Sequence, residues 1–408
     1  MNCRHCASPV TLPFVDLGSA PPSNAYLTQA DLKVPELWFP LRVLVCETCW
    51  LVQTEDHAER EQLFTKDYAY FSSTSSSWLA HAERYANAMA AEFAIGSESL
   101  VVEVASNDGY LLQYFDAAGV PTLGVEPTAS TAAAARAKNL HVEEVFFGVA
   151  EGGRLRAAYG AADLMAANNV LAHVPDINDF VGGFRELLAD RGVATFEFPH
   201  LAELIANNQF DTIYHEHYSY LSLLAVERIA RLNGLEVFRV ARLPTHGGSL
   251  RVFARRAGAG RAIEPSVAQT LAAERAAGLD RAATYAGFQA ATECVKDDLL
   301  AFLIAARREG RSVAAYGAAA KGNTLMNFAG VRPDLIGFVV DRAATKQGRF
   351  MPGSRIPILP PEALAERRPD MVLILPWNIA DEVVAQNRAL VGDKAEFWAA
   401  VPHMRRVA

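Results

Sequence analysis

Residues 214 to 221 read YHEHYSYL, two histidines and three tyrosines around a single glutamate, downstream of the apolar strand-like run GVATFEFP. An imidazole with an ordinary pKa near 6.5 can take a proton from a weak acid at neutral pH, provided a neighbour fixes its orientation and tautomer. The stretch therefore offers a base at His217 or His215. A metal site is a poor reading, because the histidines are two apart and lack the i, i+4 spacing of H-E-x-x-H on a helix. Satisfied core histidines are the structural alternative. Glu216 adjoins both imidazoles in sequence, although neighbouring side chains need not face each other.

The cysteines form a second constellation. Cys3 and Cys6 make one C-x-x-C, Cys46 and Cys49 another, and Cys294 stands alone in a helical-looking stretch. In a reducing compartment two such knuckles suit one tetrahedral zinc, with disulfides or idle thiols as alternatives. Four thiolates leave no position for water, so this zinc should hold a fold and do no chemistry. The residues between the knuckles exceed what a compact zinc ribbon needs and imply a small lobe closed by the metal.

The chain of 408 residues is 51% hydrophobic and 21% charged, ordinary for a soluble globular protein of several domains. With 38 basic against 46 acidic residues and a net charge of −8, it lacks the basic stripe of a nucleic-acid binder. No apolar run has the length of a membrane span, and the opening MNCRHCASPV has no signal-peptide core. The expected location is cytoplasmic, with neither nucleic acid nor membrane as a partner.

Two α/β units must position these residues. In the first, SLVVEVASNDGYLLQYF reads as strand, tight turn at Asn107-Asp108-Gly109 and helix start, and PTLGVEPT as a second strand ending at Glu126. A terminal acid there can accept hydrogen bonds from ribose hydroxyls, and glycine lets the backbone approach a ligand. The turn lacks the paired glycines of a dinucleotide fold. Its E-x-x-x-x-x-G shape, Glu103 to Gly109, resembles the first motif of S-adenosylmethionine-dependent methyltransferases. Further strands follow in ADLMAANNVLAHVPDI and GVATFEFP, with EVFRVARLP and SLRVFARR as a closing antiparallel pair. Seven strands in that order look like a class I methyltransferase, an unliganded Rossmann-like core being the alternative. An Ala-, Arg- and Glu-rich stretch then reads as a helical connector. In the second unit, RSVAAYGAAAKGNTLMNF is strand, loop and helix start, followed by strands in DLIGFVVDR, DMVLILPW and AEFWAAVP. GAAAKGN is not a Walker A loop, yet its amides, helix start and one ammonium could meet a phosphate. A plain glycine turn is the alternative.

Taken together, the paired C-x-x-C knuckles, DYAYFSSTSSSW, VVEVASNDGYLL, NNVLAHVPD, YHEHYSYLS, HGGSLR and YGAAAKGN closely resemble the three-domain sugar C-methyltransferases. These act on nucleotide-linked 4-keto deoxysugars in deoxysugar biosynthesis. The resemblance covers essentially the whole chain. It implies an α/β protein with a zinc-binding lobe (1–70), a class I, Rossmann-like methyltransferase domain for S-adenosylmethionine (71–257), a helical connector (258–310) and a Rossmann-like nucleotide-sugar domain (311–408). It places the base at His217, beside Glu216, with Tyr214 and His173 near the sugar ketone and Tyr68 as a lid contribution or a packed aromatic. Glu126 would hold the cofactor ribose, and Glu103, Ser106, Asn107 and Gly109 would shape its methionyl end. Asn168 and Asn169 would line the cleft. Gly317, Lys321 and Asn323 would meet the diphosphate and Asp341 the nucleoside sugar, with Arg342 and Arg349 as further phosphate partners or solvated surface. Nitrogen- or oxygen-methylation of a sugar nucleotide, and a non-catalytic zinc-lobed binding protein, are rival readings. The oligomeric state is open, a monomer being admissible.

Overall fold

β-Branched and aromatic runs fall into three sheets in the computed structural model, which describes residues 1–57, 71–392 and 394–408. The first is antiparallel: β1 (Leu12–Ala20), β2 (Phe39–Val45) and β3 (Val52–Thr54) are extended by β9 (Ser219–Tyr220), far away in sequence. The second takes β4 (Val101–Val104), β5 (Thr122–Val125), β6 (Val142–Glu143), β7 (Ala162–Asn168), β8 (Leu188–Pro199), β10 (Leu235–Leu243) and β11 (Ser249–Arg256). Its order is β10-β11-β8-β7-β4-β5-β6, with β11 antiparallel to both β8 and β10. The closing antiparallel pair expected from EVFRVARLP and SLRVFARR is thus present, and the sheet is that of a class I methyltransferase. Every residue of β4 is buried, as a central parallel strand covered on both faces requires.

The third sheet runs β14 (Ile358–Leu359), β13 (Val339–Val340), β12 (Val313–Tyr316), β15 (Met371–Ile374), β16 (Glu396–Ala399), β17 (Arg405–Arg406), parallel except for the last strand. Among the described residues no helix is long and apolar enough to cross a membrane. Helix α1 (Ser76–Phe93) buries Ala82, Tyr85, Ala86 and Met89, the i, i+3, i+4, i+7 stripe of a helix lying on a core.

The stretch read as a connector does more than connect. After α2 (Leu223–Leu232) the chain returns in α3 (Pro265–Ala276) and α4 (Phe288–Arg308). From α3, the buried Glu274 carboxylate accepts the Leu223 and Leu224 amides at 2.6 and 2.8 Å and meets His200 Nε2 at 2.8 Å. It caps the start of α2 from outside that helix, where the first amides have no partner within the helix. Glu274→Ala is expected to destabilise the fold by about 3–5 kcal/mol, the usual scale for removing one partner of a buried network. Urea unfolding followed by circular dichroism checks this, and Glu274→Gln, which keeps one carbonyl acceptor, should lose less.

Candidate active site

The four sulfurs of Cys3, Cys6, Cys46 and Cys49 lie within 4.8 Å of one another, with Cys3–Cys49 and Cys6–Cys46 both at 3.5 Å. A tetrahedral zinc with Zn–S bonds of about 2.3 Å has S···S edges of about 3.8 Å, whereas a disulfide needs about 2.05 Å. The donor set therefore fits a closed zinc site. Hydrogen bonding with Cys49 draws the Cys3 thiol down to about 4 and pushes Cys49 up, so one of the pair is readily a thiolate. Cys294 is exposed.

The lobe does not stand apart from the chemistry. Gln53 Nε2 donates to Cys3 Sγ at 3.3 Å while the Gln53 backbone pairs with Ser219 in β9, just past His217. Thr54 Oγ1 donates to the His217 carbonyl at 3.1 Å. Arg4, from the first knuckle, lies 5.2 Å over the Tyr218 ring.

At the carboxyl end of β4 the chain makes its tight turn with positive φ at Ala105 (57°), Asn107 (50°) and Gly109 (75°). A Cβ on Gly109 would collide with Leu140 Cδ1 at 2.1 Å, so this glycine serves the turn and the packing of Leu140 against it. Glu126, one residue past β5, accepts the Asn107 and Thr128 amides, each at 2.9 Å. The Ser106 amide is taken by the Val125 carbonyl at 3.2 Å. Segment 71–74 sits on this turn: the Ser72 amide donates to Asn107 Oδ1 at 2.9 Å, and Lys138 Nζ donates to the Asp108 carbonyl at 2.7 Å.

A set of buried acceptors without partners frames the crevice where strand order reverses between β4 and β7. Among the described residues they are Ser106 Oγ, Asn168 Oδ1 and Asn169 Oδ1, with the buried Glu103 carboxyl beside them meeting the Tyr110 hydroxyl. Burial holds Glu103 well above the usual carboxylate range, the Tyr110 hydroxyl opposing. Acceptors stranded at a switch point suit a ligand rich in donors and positive charge, as S-adenosylmethionine is with its ammonium, sulfonium and ribose hydroxyls. The residues present thus fit the cofactor.

In YHEHYSYL the two histidines face different ways. His217 Nδ1 lies 2.8 Å from the Thr212 carbonyl, which can only accept, so the hydrogen is on Nδ1 and Nε2 carries the lone pair. Burial pushes this imidazole well below 6.5, with His173 adding to the shift and the Thr212 carbonyl opposing it. The His173 and Tyr214 rings pack on it at 4.5 and 4.0 Å. His173 Nδ1 is 2.8 Å from the Glu216 carbonyl, and burial takes His173 down to about 4. His215 turns its Nε2 to the Phe39 and Pro40 carbonyls of the lobe. The Glu216 carboxylate meets neither imidazole: Asn24 Nδ2 donates to it at 3.1 Å, and burial raises it. Tyr68 lies outside the described residues.

The sequence patterns miss a second polar cluster at the end of β8. The buried Glu197 carboxylate takes His81 Nε2 at 3.0 Å, the Arg251 guanidinium and Thr245 Oγ1 at 3.1 Å. Burial alone would raise it, but His81 and Arg251 more than offset that and hold it low. Next to it His246, at φ 55°, accepts from Asn169 Nδ2 at 3.1 Å and lies 5.2 Å from Trp78. HGGSLR carries the only signal for this histidine.

From the third sheet, helix α5 (Ala320–Phe328) brings Lys321, whose Nζ donates to Asn378 at 3.1 Å and sits 4.5 Å over the Trp377 ring. Burial lowers Lys321, with the Asp211 charge opposing. Asn323 is buried and donates to the Ser23 carbonyl at 2.6 Å, so this side chain faces the lobe. Asp341 accepts the Ala318 and Ala343 amides, each at 2.8 Å, and so shapes the loop that begins at Gly317 with φ 92°. Arg342 and Arg349 are exposed.

Comparison with known proteins matches the geometry. Residues 3–64 match a zinc-binding domain family, 78–240 a methyltransferase domain family, and 244–402 the family described as C-methyltransferase C-terminal domain. The chain is 35% identical over 407 residues to C-methyltransferase NovU of Streptomyces niveus, covering 100% of this chain and 97% of that protein. Among solved structures, magnesium protoporphyrin IX methyltransferase (ChlM) of Synechocystis PCC 6803 with bound SAH is 14% identical with a TM-score of 0.35, over 44% of this chain and 83% of that one. The CcbJ methyltransferase of Streptomyces caelestis is 15% identical with a TM-score of 0.35, over 43% of this chain and 90% of that one. Likeness at that distance carries no argument, and the full-length relative with the three matched domains does. The chain belongs to the S-adenosylmethionine-dependent C-methyltransferases, with S-adenosylmethionine as its methyl donor and zinc on its four paired cysteines.

Proposed function

We propose that this enzyme methylates a ring carbon, carbon 3, of a nucleotide-linked 4-keto deoxysugar, with His217 as the base. The observation that carries the reading is a neutral imidazole whose Nδ1–H is tied to the Thr212 carbonyl, leaving Nε2 to receive a proton. Carbon next to a ketone becomes a nucleophile only when its C–H proton is removed, and methyl transfer to oxygen or nitrogen needs no such base. When bound, S-adenosylmethionine supplies an electrophilic methyl group on a sulfonium. His217 takes the proton from carbon 3, and the electron pair moves onto the ketone oxygen. Tyr214, packed on His217, donates to that oxygen as charge develops, while His173, whose Nδ1–H goes to the Glu216 carbonyl, only orients the site by packing on His217. A base held this far below 6.5 is weak, so much of the driving force must come from stabilising the enolate.

The rest of the site divides between the units. Glu126 holds the cofactor ribose, and Glu103, Ser106, Asn107, Gly109, Asn168 and Asn169 shape the crevice. Stranded acceptors on Ser106 and on both asparagines support this division. Lys321 meets the diphosphate, supported by a half-buried ammonium whose partial desolvation favours a counter-ion, while Gly317 and Asp341 hold the loop around it. Arg342 and Arg349, both exposed, reach the outer phosphate or the nucleoside. Asn323 and Glu216 act through the lobe, since their contacts run to Ser23 and Asn24.

The test is incubation with labelled S-adenosylmethionine and a panel of nucleotide-linked 4-keto deoxyhexoses. One panel member should gain a methyl on carbon, located by NMR. In deuterated water without methyl donor, the same sugar should exchange its carbon 3 hydrogen. Methyl on oxygen or nitrogen, or carbon methylation at another position, overturns the proposal.

A further inference from the structure

Trp377 follows β15 on a short turn of the third sheet, within an apolar run that gives no hint of a site. Its indole Nε1 donates to Asp211 Oδ2 at 2.7 Å. Asp211 is fully buried, on the turn Phe210–Thr212. The next residue, Thr212, offers the carbonyl that receives His217 Nδ1–H, and the one after, Ile213, accepts Thr324 Oγ1 at 2.8 Å from α5. The far edge of the indole is engaged as well. A Cβ on Gly247 would stand 2.6 Å from the Trp377 ring, and the Gly247 carbonyl accepts Gln209 Nε2 at 2.8 Å. Two side chains of the third sheet's unit thus grip both residues flanking the one that fixes the base.

We propose that Trp377, through its hydrogen bond to Asp211, is a positioning residue that holds the Thr212 carbonyl in place and so keeps the lone pair of His217 on Nε2. This rests on the reading of His217 as the base. An imidazole can exchange its hydrogen between two nitrogens, and only the Nδ1–H form presents a basic Nε2. The backbone carbonyl that selects this form lies on a short turn, where a displacement of a few tenths of an ångström weakens the bond.

Trp377→Phe keeps an aromatic ring at this position but has no N–H and gives up the outer benzo ring near Gly247. It is expected to lower kcat about 10-fold, with KM for S-adenosylmethionine and for the sugar nucleotide turned over in the panel within twofold of wild type. Asp211→Ala should show the same loss, and Asp211→Asn, which keeps an acceptor, should recover most of it. In the His217→Asn background, Trp377→Phe should cost nothing more, since its effect passes through the imidazole. Imidazole ¹⁵N shifts of the ligand-free protein should show His217 as the Nδ1–H form in wild type and as a mixture in Trp377→Phe.

The idea is overturned by an unchanged His217 tautomer in folded Trp377→Phe, or by the same fold-loss with and without His217. If Trp377→Phe does not fold, Asp211→Ala and Asp211→Asn separate the same two outcomes. Failure of the base assignment is distinct, being read from full activity of His217→Asn while the ¹⁵N measurement still stands.

Discussion

His217→Asn is expected to slow methyl transfer by about 10²–10⁴-fold, the usual scale for a positioned acid–base group, while both substrates still bind. Asparagine keeps polarity and approximate size but cannot take the proton. Tyr214→Phe should cost less, because it removes one donor near the developing oxyanion and leaves the base. The wild-type pH profile carries a second signature. Burial depresses the folded pKa of His217, so its basic form is fully present at pH 6.5 and is lost only as pH falls through a value well below that. The acid limb of kcat/KM should therefore lie under 6.5. If the histidine is only a core residue, the variant should melt earlier and turn over near-normally per folded molecule. A folded His217→Asn enzyme at wild-type rate would move the base to His173 or to His215, whose Nε2 is spent on the Phe39 and Pro40 carbonyls but whose Nδ1 keeps a lone pair.

Stripping the zinc should abolish methyl transfer while leaving S-adenosylmethionine binding largely intact. Structural zinc sites contribute about 10–16 kcal/mol to the fold they close in small zinc peptides. The cysteine spacing alone suggests a metal remote from chemistry, whose loss would unfold the lobe first. The β3–β9 ladder and the bonds from Gln53 to Cys3 and from Thr54 to His217 make that unfolding a loss of support for the His217 loop. Metal analysis should find about one zinc per chain. After chelation, activity should fall at least 100-fold, while calorimetry still detects cofactor binding to the seven-stranded sheet. Full activity in zinc-free protein would defeat the claim.

What is legible in the sequence follows from local chemistry. Cys3, Cys6, Cys46 and Cys49 declare themselves by spacing, and the apolar runs of β4, β7 and β8 by their length and bounding turns. Glu126 is found because it ends a strand. Asp211 and Trp377 are hidden for the opposite reason, each looking ordinary in its own segment and becoming polar partners only where two units meet. Glu274 sits in a charged helical run that reads as a solvated face, yet it is buried. Glu216 and Asn323 lie within site motifs, and the contacts of their side chains with Asn24 and Ser23 of the lobe are ones no local pattern announces. A strand of two residues such as β9 has too few positions to show any periodicity.

That strand sets the order of events during synthesis. Thr54 and the His217 carbonyl it holds are 163 residues apart in the chain. At a translation rate of about 5–20 residues per second, the lobe waits about 8–30 s for the strand that completes its sheet. Throughout that interval β3, whose three residues are all buried in the finished protein, presents an open sheet edge to other nascent chains. The segment that carries His217 is therefore also the gatekeeper against misassembly, and a chain stalled before residue 219 would leave the ribosome as an aggregation seed rather than as an inactive enzyme.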